Sequence, residues 1–399
     1  MKYDLVFEGG GAKGMVFAGA MQEFEARGHT FERLLGTSAG AITATSLAAG
    51  YTSQEMLEIL TEEEGGQPVF VGFLGTPPEF EPEEIRNSAT RAFLQGLDVP
   101  ILPDLVEDKL DDWLASVLLT RPGYRNLFSF IERGGWFSAH KFLDWMRARL
   151  DSGTVAGLPR QFGDMTLAEF FAATQTDLSL VASNTTAGRL LVLNHRTAPD
   201  CPLVWAVRMS MSVPLLWPEV EWQAGWGTYR DEAMSGHLIV DGGMLSNFPI
   251  ELLVSEAPQV TAVMGPKRGE NVLGFLIDES LPVPGAPAKA AAAQAEALSL
   301  GRLRTVQRLQ RLINTMTQAH DKMVIEAFED LVVRLPAGGY GTIEFDMSDP
   351  RREALVAAGR AATRDYFARP AAMVLGAEAE AGAARASHAD RVAARLLAR

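Results

Sequence analysis

Two segments near the start of the chain decide its fold, YDLVFEGGGAKGM at residues 3–15 and FERLLGTSAGAI at residues 31–42. Each begins with a short β-branched or aromatic run, reaches glycines, and continues into a stretch that is compatible with a helix. Those helical stretches are Met15–Arg27 and Ala39–Ala49. A strand, a tight loop and a helix in alternation are typical of a parallel sheet with helices packed on it. The sequence therefore predicts an α/β fold with a mostly parallel central sheet.

Later segments continue this pattern. Further strands are expected at Leu178–Ser183, Arg189–Leu193, Leu238–Val240, Val260–Met264, Val272–Ile277, Leu331–Leu335 and Thr342–Phe345. Further helices are expected at His140–Leu150, Leu167–Ala173, Leu203–Met211 and Gly301–Glu329. Between about residues 62 and 135, prolines and glycines break the chain into short pieces with two helical candidates, Pro82–Leu97 and Leu105–Leu119. We interpret this stretch as an inserted segment that caps a pocket.

The chain is expected to divide into three parts. Residues 1–280 would form the catalytic domain with the inserted segment, and residues 281–370 a C-terminal extension of helices and strands that packs on it. Residues 371–399 are rich in alanine and would form either an appended helix or a poorly ordered end.

Composition excludes several classes of protein. The 399 residues carry a net charge of −14, which disfavours nonspecific binding of nucleic acid. The one cysteine, Cys201, rules out an internal disulfide framework, and no motif asks for a metal or another cofactor. The N-terminus is too short in apolar residues for a signal peptide, and no run of about 18 apolar residues could span a membrane. These features favour a cytoplasmic protein, free or peripheral at a membrane, and a protein exported without a leader would share them.

The run Gly36-Thr37-Ser38-Ala39-Gly40 has the G-x-S-x-G form of a nucleophile elbow. Such an elbow needs a strand before it and a helix after it, and both are predicted here. Flanking glycines allow the sharp turn that exposes the serine, and the helix N-terminus brings N–H groups near it. Ser38 is therefore the candidate nucleophile. An ordinary glycine turn with a helix-capping serine is the alternative.

The run Gly9-Gly10-Gly11-Ala12-Lys13-Gly14 also lies between a strand and a helix. Consecutive glycine N–H groups can stabilise an oxyanion, and Lys13 would add positive charge nearby. The same pattern fits the dinucleotide-binding fingerprint, which is the alternative interpretation.

A serine nucleophile needs a base to remove its proton. None of the six histidines lies in a triad-like context. Asp241, which ends a short apolar strand in the run Asp241-Gly242-Gly243, is the competing candidate.

Together the three runs resemble the patatin-like phospholipase family, which has a G-G-G-x-[RK]-G loop, a G-x-S-x-G elbow and a distant D-G-[GA] motif. The segment from Arg208 to Pro214 also resembles the family's Ser-x-x-x-Pro segment, and Asn247 and Pro249 are typical of it. The resemblance covers about residues 2–264. It implies a three-layer α/β/α fold and a lipid acyl hydrolase of phospholipase A or lysophospholipase type.

The resemblance further implies a Ser–Asp dyad in which Ser38 attacks the ester and Asp241 accepts its proton, with an acyl-enzyme intermediate. The oxyanion hole would be formed by the loop of Gly9, Gly10, Gly11, Lys13 and Gly14, with Ala39 completing it. Gly36 and Gly40 would shape the elbow, and Gly242 and Gly243 would follow the aspartate.

Lipid substrates imply contact with a membrane surface. Two stretches are candidates for that contact: a basic amphipathic stretch with Arg302, Arg304, Arg308 and Arg311, and the inserted segment with Phe70, Phe73, Leu74 and Phe80. For the basic stretch we favour the simpler interpretation, a core-facing helix with a solvated side. A homo-oligomer or an activator stays open.

Three other functions also stay open. They are an acyltransferase or thioesterase with the same dyad, a noncatalytic lipid-binding regulator, and a dinucleotide-binding oxidoreductase.

Overall fold

The computed structural model describes residues 1–96, 116, 118, 122–269, 271–287, 327–369 and 378–398. The main sheet has eight strands, β1 Lys2–Phe7, β2 Thr30–Thr37, β3 Asp177–Asn184, β4 Arg189–Leu193, β5 Val220–Glu221, β6 Leu238–Asp241, β7 Asn271–Pro282 and β8 Val332–Gly338. The helices are α1 Val16–Ala26, α2 Ala39–Ala48, α3 Ser53–Leu60, α4 Pro82–Arg86, α5 Ala89–Gly96, α6 Pro122–Glu132, α7 His140–Leu150, α8 Leu167–Thr174, α9 Leu203–Ser210, α10 Glu251–Val254, α11 Pro258–Met264, α12 Asp349–Phe367 and α13 Glu378–Ala398.

Short elements complete the described part. The 3₁₀ turns are Gly11–Met15, Val69–Leu74, Ala224–Trp226, Gly242–Met244 and Glu329–Leu331. Two-residue strands pair as Glu63–Glu64 with Gln67–Pro68, Thr154–Val155 with Leu158–Pro159, and Thr228–Tyr229 with Glu232–Ala233.

The sheet is mostly parallel and runs in the order β8-β7-β1-β2-β3-β6-β5. β1 pairs in parallel with β2 and β7, β7 with β8, and β2 with β3. The last strands, β6 and β5, are antiparallel, and β4 pairs antiparallel with β3. Because β1 and β2 are parallel, with Phe7 opposite Gly36, the loops that follow them leave the same edge of the sheet.

Helices cover both faces of the sheet. Leu5 and Phe7 of β1 pack in one apolar cluster with residues of α1, α2 and α12, while Val6 packs in a second cluster with residues of α10, α11 and α13. Successive side chains of a strand point to opposite faces, so this split shows a sheet that is buried on both sides. The predicted α/β fold with a central, mostly parallel sheet flanked by helices is confirmed.

The C-terminal part joins the same sheet, because β8 extends it beside β7, and α12 packs against α1. In the tail, α13 contacts α10 and α11. The division into a domain of residues 1–280 and an extension of residues 281–370 stays a prediction.

Two predicted strands are wrong. Val260–Met264 belongs to helix α11, which begins at Pro258 and ends at Gly265 with a φ of +73°. A short apolar run fits a buried helix as well as a strand, and the flanking proline and glycine are ordinary helix boundaries. Thr342–Phe345 forms turns instead of a strand, and the carbonyl of Thr342 accepts a hydrogen bond from the Ala12 N–H at 2.8 Å.

The inserted segment differs from expectation in two respects. The stretch Pro82–Leu97 is divided into α4 and α5, and Leu97 lies outside the described residues. Phe70 and Phe73, expected at a docking surface, are buried in the main core.

Other predictions fall outside the described residues. These are the helix Leu105–Leu119 apart from Ser116 and Leu118, the alanine-rich stretch that ends near Leu298, the predicted helix Gly301–Glu329 up to residue 326, and the basic residues Arg302, Arg304, Arg308 and Arg311.

Candidate active site

Ser38 lies on a sharp turn between β2 and α2, with a φ of +53° and a ψ of −118°. A non-glycine residue in this region is strained, and such strain is concentrated at functional sites. The turn is tight because Gly40 lies against β1, where a Cβ on Gly40 would come within 2.2 Å of the Phe7 carbonyl oxygen. Gly36, the last glycine before the turn, is paired opposite Phe7. Ser38 is 8% exposed, so the residue is buried at the turn.

The glycine loop approaches this elbow closely. A Cβ on Gly9 would lie 3.0 Å from the Ser38 Cβ, and one on Gly14 would lie 2.8 Å from the Ala39 Cβ. Within the described residues, the N–H groups of Gly10, Gly11 and Ala39 donate to no protein acceptor. Three free donors beside a serine can hold the oxygen of a carbonyl as it becomes negative.

Asn247 fixes the glycine loop in place. Its side-chain Nδ2 donates to the Gly9 carbonyl at 2.9 Å and to Glu8 Oε1 at 3.1 Å, while its own carbonyl accepts from the Gly9 N–H at 3.3 Å. Asn247 follows the aspartate motif in sequence, so these bonds tie the third motif to the first.

Asp241 ends β6 and is 5% exposed. Its Oδ1 accepts from the Gly243 N–H at 2.7 Å, in the turn that begins with Gly242. Its buried Oδ2 has no partner within hydrogen-bonding distance in the described residues. Burial raises the pKa of Asp241 to about 6, and the Ser38 hydroxyl and the Gly243 N–H lower the pKa of the same carboxyl in part.

The structure therefore brings Ser38 and Asp241 together. The hydroxyl lies close enough to affect the carboxylate, while Oδ2 forms no short hydrogen bond. Such bonds are often long in free enzymes and tighten when substrate binds.

The segment from Arg208 to Pro214 holds both residues. The Ser38 N–H donates to Ser210 Oγ at 3.0 Å, and the Asp241 N–H donates to the Ser212 carbonyl at 2.9 Å. Ser210 and Ser212 belong to the segment that resembles the family's Ser-x-x-x-Pro segment, and nothing in that motif shows which backbone groups they contact.

Lys13 is placed differently from the other residues of its loop. Its side chain is buried and its ammonium group forms an ion pair with Glu279, whose side chain is largely exposed. The charge of Lys13 is therefore balanced by a carboxylate.

Three of the histidines contact residues outside the candidate site. His29 packs against Tyr3, Phe24 and Phe367. His195 stacks on Phe171, and His237 Nδ1 lies 2.9 Å from the Asn184 amide.

The described residues hold neither a metal-binding cluster nor a membrane-spanning helix. No group of three or more histidine, cysteine, aspartate or glutamate side chains is arranged to hold a metal ion. None of the described helices combines the length and the apolar character needed to cross a membrane.

The chain is similar to known proteins over most of its length. The sequence profile of the patatin-like phospholipase family matches residues 5–254. The uncharacterised protein YqhO of Bacillus subtilis is 27% identical over 376 residues, which cover 92% of this chain and 98% of YqhO.

Two solved structures cover 92% of this chain at 18% identity each. VipD from Legionella pneumophila has a TM-score of 0.44, and the type III effector protein ExoU has a TM-score of 0.38. The matches span 66% of VipD and 52% of ExoU.

Proposed function

The chain belongs to the patatin-like phospholipase family, and on that premise we propose that it is a lipid acyl hydrolase of phospholipase A or lysophospholipase type with a Ser38–Asp241 dyad. Membership places the chain among lipid-ester hydrolases in general terms. The dyad rests on one observation above all: a serine on a strained elbow beside a buried carboxylate whose pKa is raised to about 6.

In the first step, Ser38 Oγ attacks the carbonyl carbon of the ester and its proton passes to Asp241. An ordinary aspartate is a weak base because its pKa is about 3.9, and burial makes this carboxylate more basic. Oδ2 is the oxygen available to receive the proton, because Oδ1 is held by the Gly243 N–H.

The carbonyl oxygen becomes negative in this step. The N–H groups of Gly10, Gly11 and Ala39 would donate to it, and the N-terminus of α2 adds its positive dipole end. The donors are held in position by Asn247 and by the contact between Gly14 and Ala39, so little reorganisation is needed as the charge develops.

The tetrahedral intermediate then collapses. The C–O bond to the leaving alcohol breaks, the alcohol takes the proton from Asp241, and the acyl group stays on Ser38 as an ester. A water molecule repeats the sequence, with Asp241 as base, and releases the fatty acid.

Contact with lipid surfaces is part of the proposal. Three exposed apolar side chains, Tyr124, Leu127 and Ile131, follow helical spacing on α6, and Phe93 of α5 is exposed as well. We place peripheral membrane contact on this face of the inserted segment. An activator or a second copy of the chain stays a prediction.

The test is hydrolysis of a panel of phospholipids, lysophospholipids and neutral glycerides by wild type, Ser38→Ala and Asp241→Asn, with each protein checked for folding. We expect both variants to lose more than about a thousandfold in turnover. Equal activity of Ser38→Ala and wild type would exclude the dyad. Preferred transfer of the acyl group to an added alcohol, instead of release as free acid, would indicate an acyltransferase.

A further inference from the structure

A cavity of about 420 Å³ lies beside the segment that holds the dyad, and neither Ser38 nor Asp241 lines it. Its walls include Phe137, Trp205 and Trp226, and Arg208 lies among them. Glu219 and Glu221 line it too and are exposed to solvent. Cavities of this size with aromatic walls and a few polar groups are typical of small-molecule sites.

Arg208 is a buried cation without a carboxylate partner in the described residues. It is 3% exposed, and its guanidinium donates to Ser212 Oγ and to the Pro218 carbonyl. A guanidinium has five N–H donors, so three stay available. Burial lowers the pKa of Arg208 to about 9, which leaves the group charged at neutral pH. The C-terminal end of α9 offsets part of the charge, but an anion would pair with it directly.

The other positively charged side chain of the cavity is already paired. Arg133 donates to Glu84 Oε1 at 2.6 Å and lies over the Phe80 ring. An anion in this cavity would therefore be bound chiefly by Arg208.

Aromatic rings and negative charges also line the cavity. The rings of Trp205 and Trp226 lie 5.1 Å apart at 36°, and Glu219 and Glu221 line the same cavity. Indole faces and carboxylates together attract an ammonium group. The cavity thus combines one buried positive charge with a negatively charged, aromatic region, which matches a zwitterion better than a simple anion.

We propose that this cavity binds the headgroup of a zwitterionic phospholipid, with the phosphate on Arg208 and the ammonium group between the Trp205–Trp226 wall and the two glutamates. The proposal rests on the proposed function, of which it names the substrate class. The position supports it, because Arg208 donates to Ser212, whose carbonyl accepts the Asp241 N–H. Arg208 is thus linked to Asp241 of the dyad through a single residue, Ser212.

Direct binding tests this without catalysis. Glycerophosphocholine carries the headgroup but no acyl ester, so it can be titrated calorimetrically into the wild-type protein. Inorganic phosphate and choline are the matched probes for each half. We expect glycerophosphocholine to bind at least about tenfold more tightly than either half, since both ends would be held.

Three variants locate the site. Arg208→Lys keeps the charge but loses the planar fork, and we expect about a tenfold loss for glycerophosphocholine. Trp205→Ala should weaken glycerophosphocholine and choline but leave inorganic phosphate unchanged. Arg147→Met is the control, because it removes a positive charge from a surface pair with Asp164, and it should bind like wild type.

The outcomes separate this proposal from the proposed function. No binding of glycerophosphocholine to folded wild-type protein would overturn the headgroup site, whether or not Ser38→Ala loses hydrolysis. Equal binding of inorganic phosphate and glycerophosphocholine would overturn it too, in favour of a plain phosphate site. If Arg208→Lys does not fold, the wild-type titrations and Trp205→Ala decide the question.

Discussion

Replacing Asp241 with asparagine should make the protein more stable relative to wild type as the pH rises, while it removes the proposed base. In the folded protein burial raises the pKa of this carboxyl from 3.8 to about 6. Between these values the unfolded chain has lost the proton and the folded chain still holds it. The stability from the raised pKa is therefore complete below pH 3.8 and is lost as the pH rises through about 6.

The magnitude follows from the two pKa values. At about 1.36 kcal/mol per pKa unit, the ionised carboxylate destabilises the fold by about 3 kcal/mol at pH 8 and by about 2 kcal/mol at pH 5. Asparagine does not ionise, and its Oδ1 can keep the bond to the Gly243 N–H. In the variant an amide NH₂ group takes the place of the unpartnered Oδ2. Burying its N–H donors without an acceptor costs about 1–3 kcal/mol of stability, and this cost is the same at every pH because the amide does not titrate. The free energy of unfolding of the variant relative to wild type should thus rise by about 1 kcal/mol from pH 5 to pH 8.

The measurement is urea unfolding of both proteins at several values between pH 5 and pH 8, followed by tryptophan fluorescence. Asp164→Asn is the control, because its carboxylate is exposed and pairs with Arg147 at 2.8 Å. It should differ from wild type by less than about 1 kcal/mol at every pH. If the difference between Asp241→Asn and wild type is the same at pH 5 and pH 8 within about 0.5 kcal/mol, the carboxylate does not titrate in this range and the argument fails.

Three further predictions follow from the same geometry. The pH profile of kcat/KM should rise with an apparent pKa of about 6, set by Asp241, and a flat profile between pH 5 and pH 8 would contradict this base. Ser38→Gly should be inactive yet about 1 kcal/mol more stable than Ser38→Ala in urea unfolding, because glycine adopts a φ of +53° without strain; equal stabilities would refute the strain. Gly40→Ala, whose Cβ would meet the Phe7 carbonyl oxygen at 2.2 Å, should lose more than about 2 kcal/mol or fail to fold, whereas Gly225→Ala, with open space around it, should stay within about 0.5 kcal/mol of wild type in the same assay.

The central sheet could be predicted from the sequence because its strands are short apolar runs that end at glycines. β4 was predicted with its observed limits, and β1 and β3 within a residue or so at each end. The runs in α11 and at Thr342–Phe345 have the same apolar character, and only their neighbours in space decide their conformation. Thr342 lies in a turn, in which its carbonyl accepts a hydrogen bond from the Ala12 N–H.

In the candidate site, too, some features could be predicted from the sequence and others could not. Ser38, the glycine loop and Asp241 carry motifs whose spacing is local, so the sequence could indicate them one by one. The residues that connect them also lie in segments that resemble the family, but no motif shows which groups they contact. Ser210 meets the Ser38 N–H across 172 positions of sequence, and Asn247 meets the Gly9 carbonyl across 238. Long-range pairs of this kind depend on the whole topology, which no short pattern contains.

The site is also a source of instability that the rest of the fold offsets. The ionised, buried Asp241 destabilises the protein by about 3 kcal/mol at pH 8, and the backbone of Ser38 adds strain of about 1–3 kcal/mol. The net free energy of unfolding of a protein is only about 5–15 kcal/mol. The destabilisation by these two residues is therefore large compared with the net stability. The segment from Arg208 to Pro214 holds both residues through Ser210 and Ser212, so it restrains a place where relaxation would be favourable. Loosening that segment should therefore let the Ser38 turn and the Asp241 carboxylate relax before the sheet unfolds. In a urea titration, hydrolytic activity should then be lost at a lower urea concentration than the fluorescence signal of the buried tryptophans.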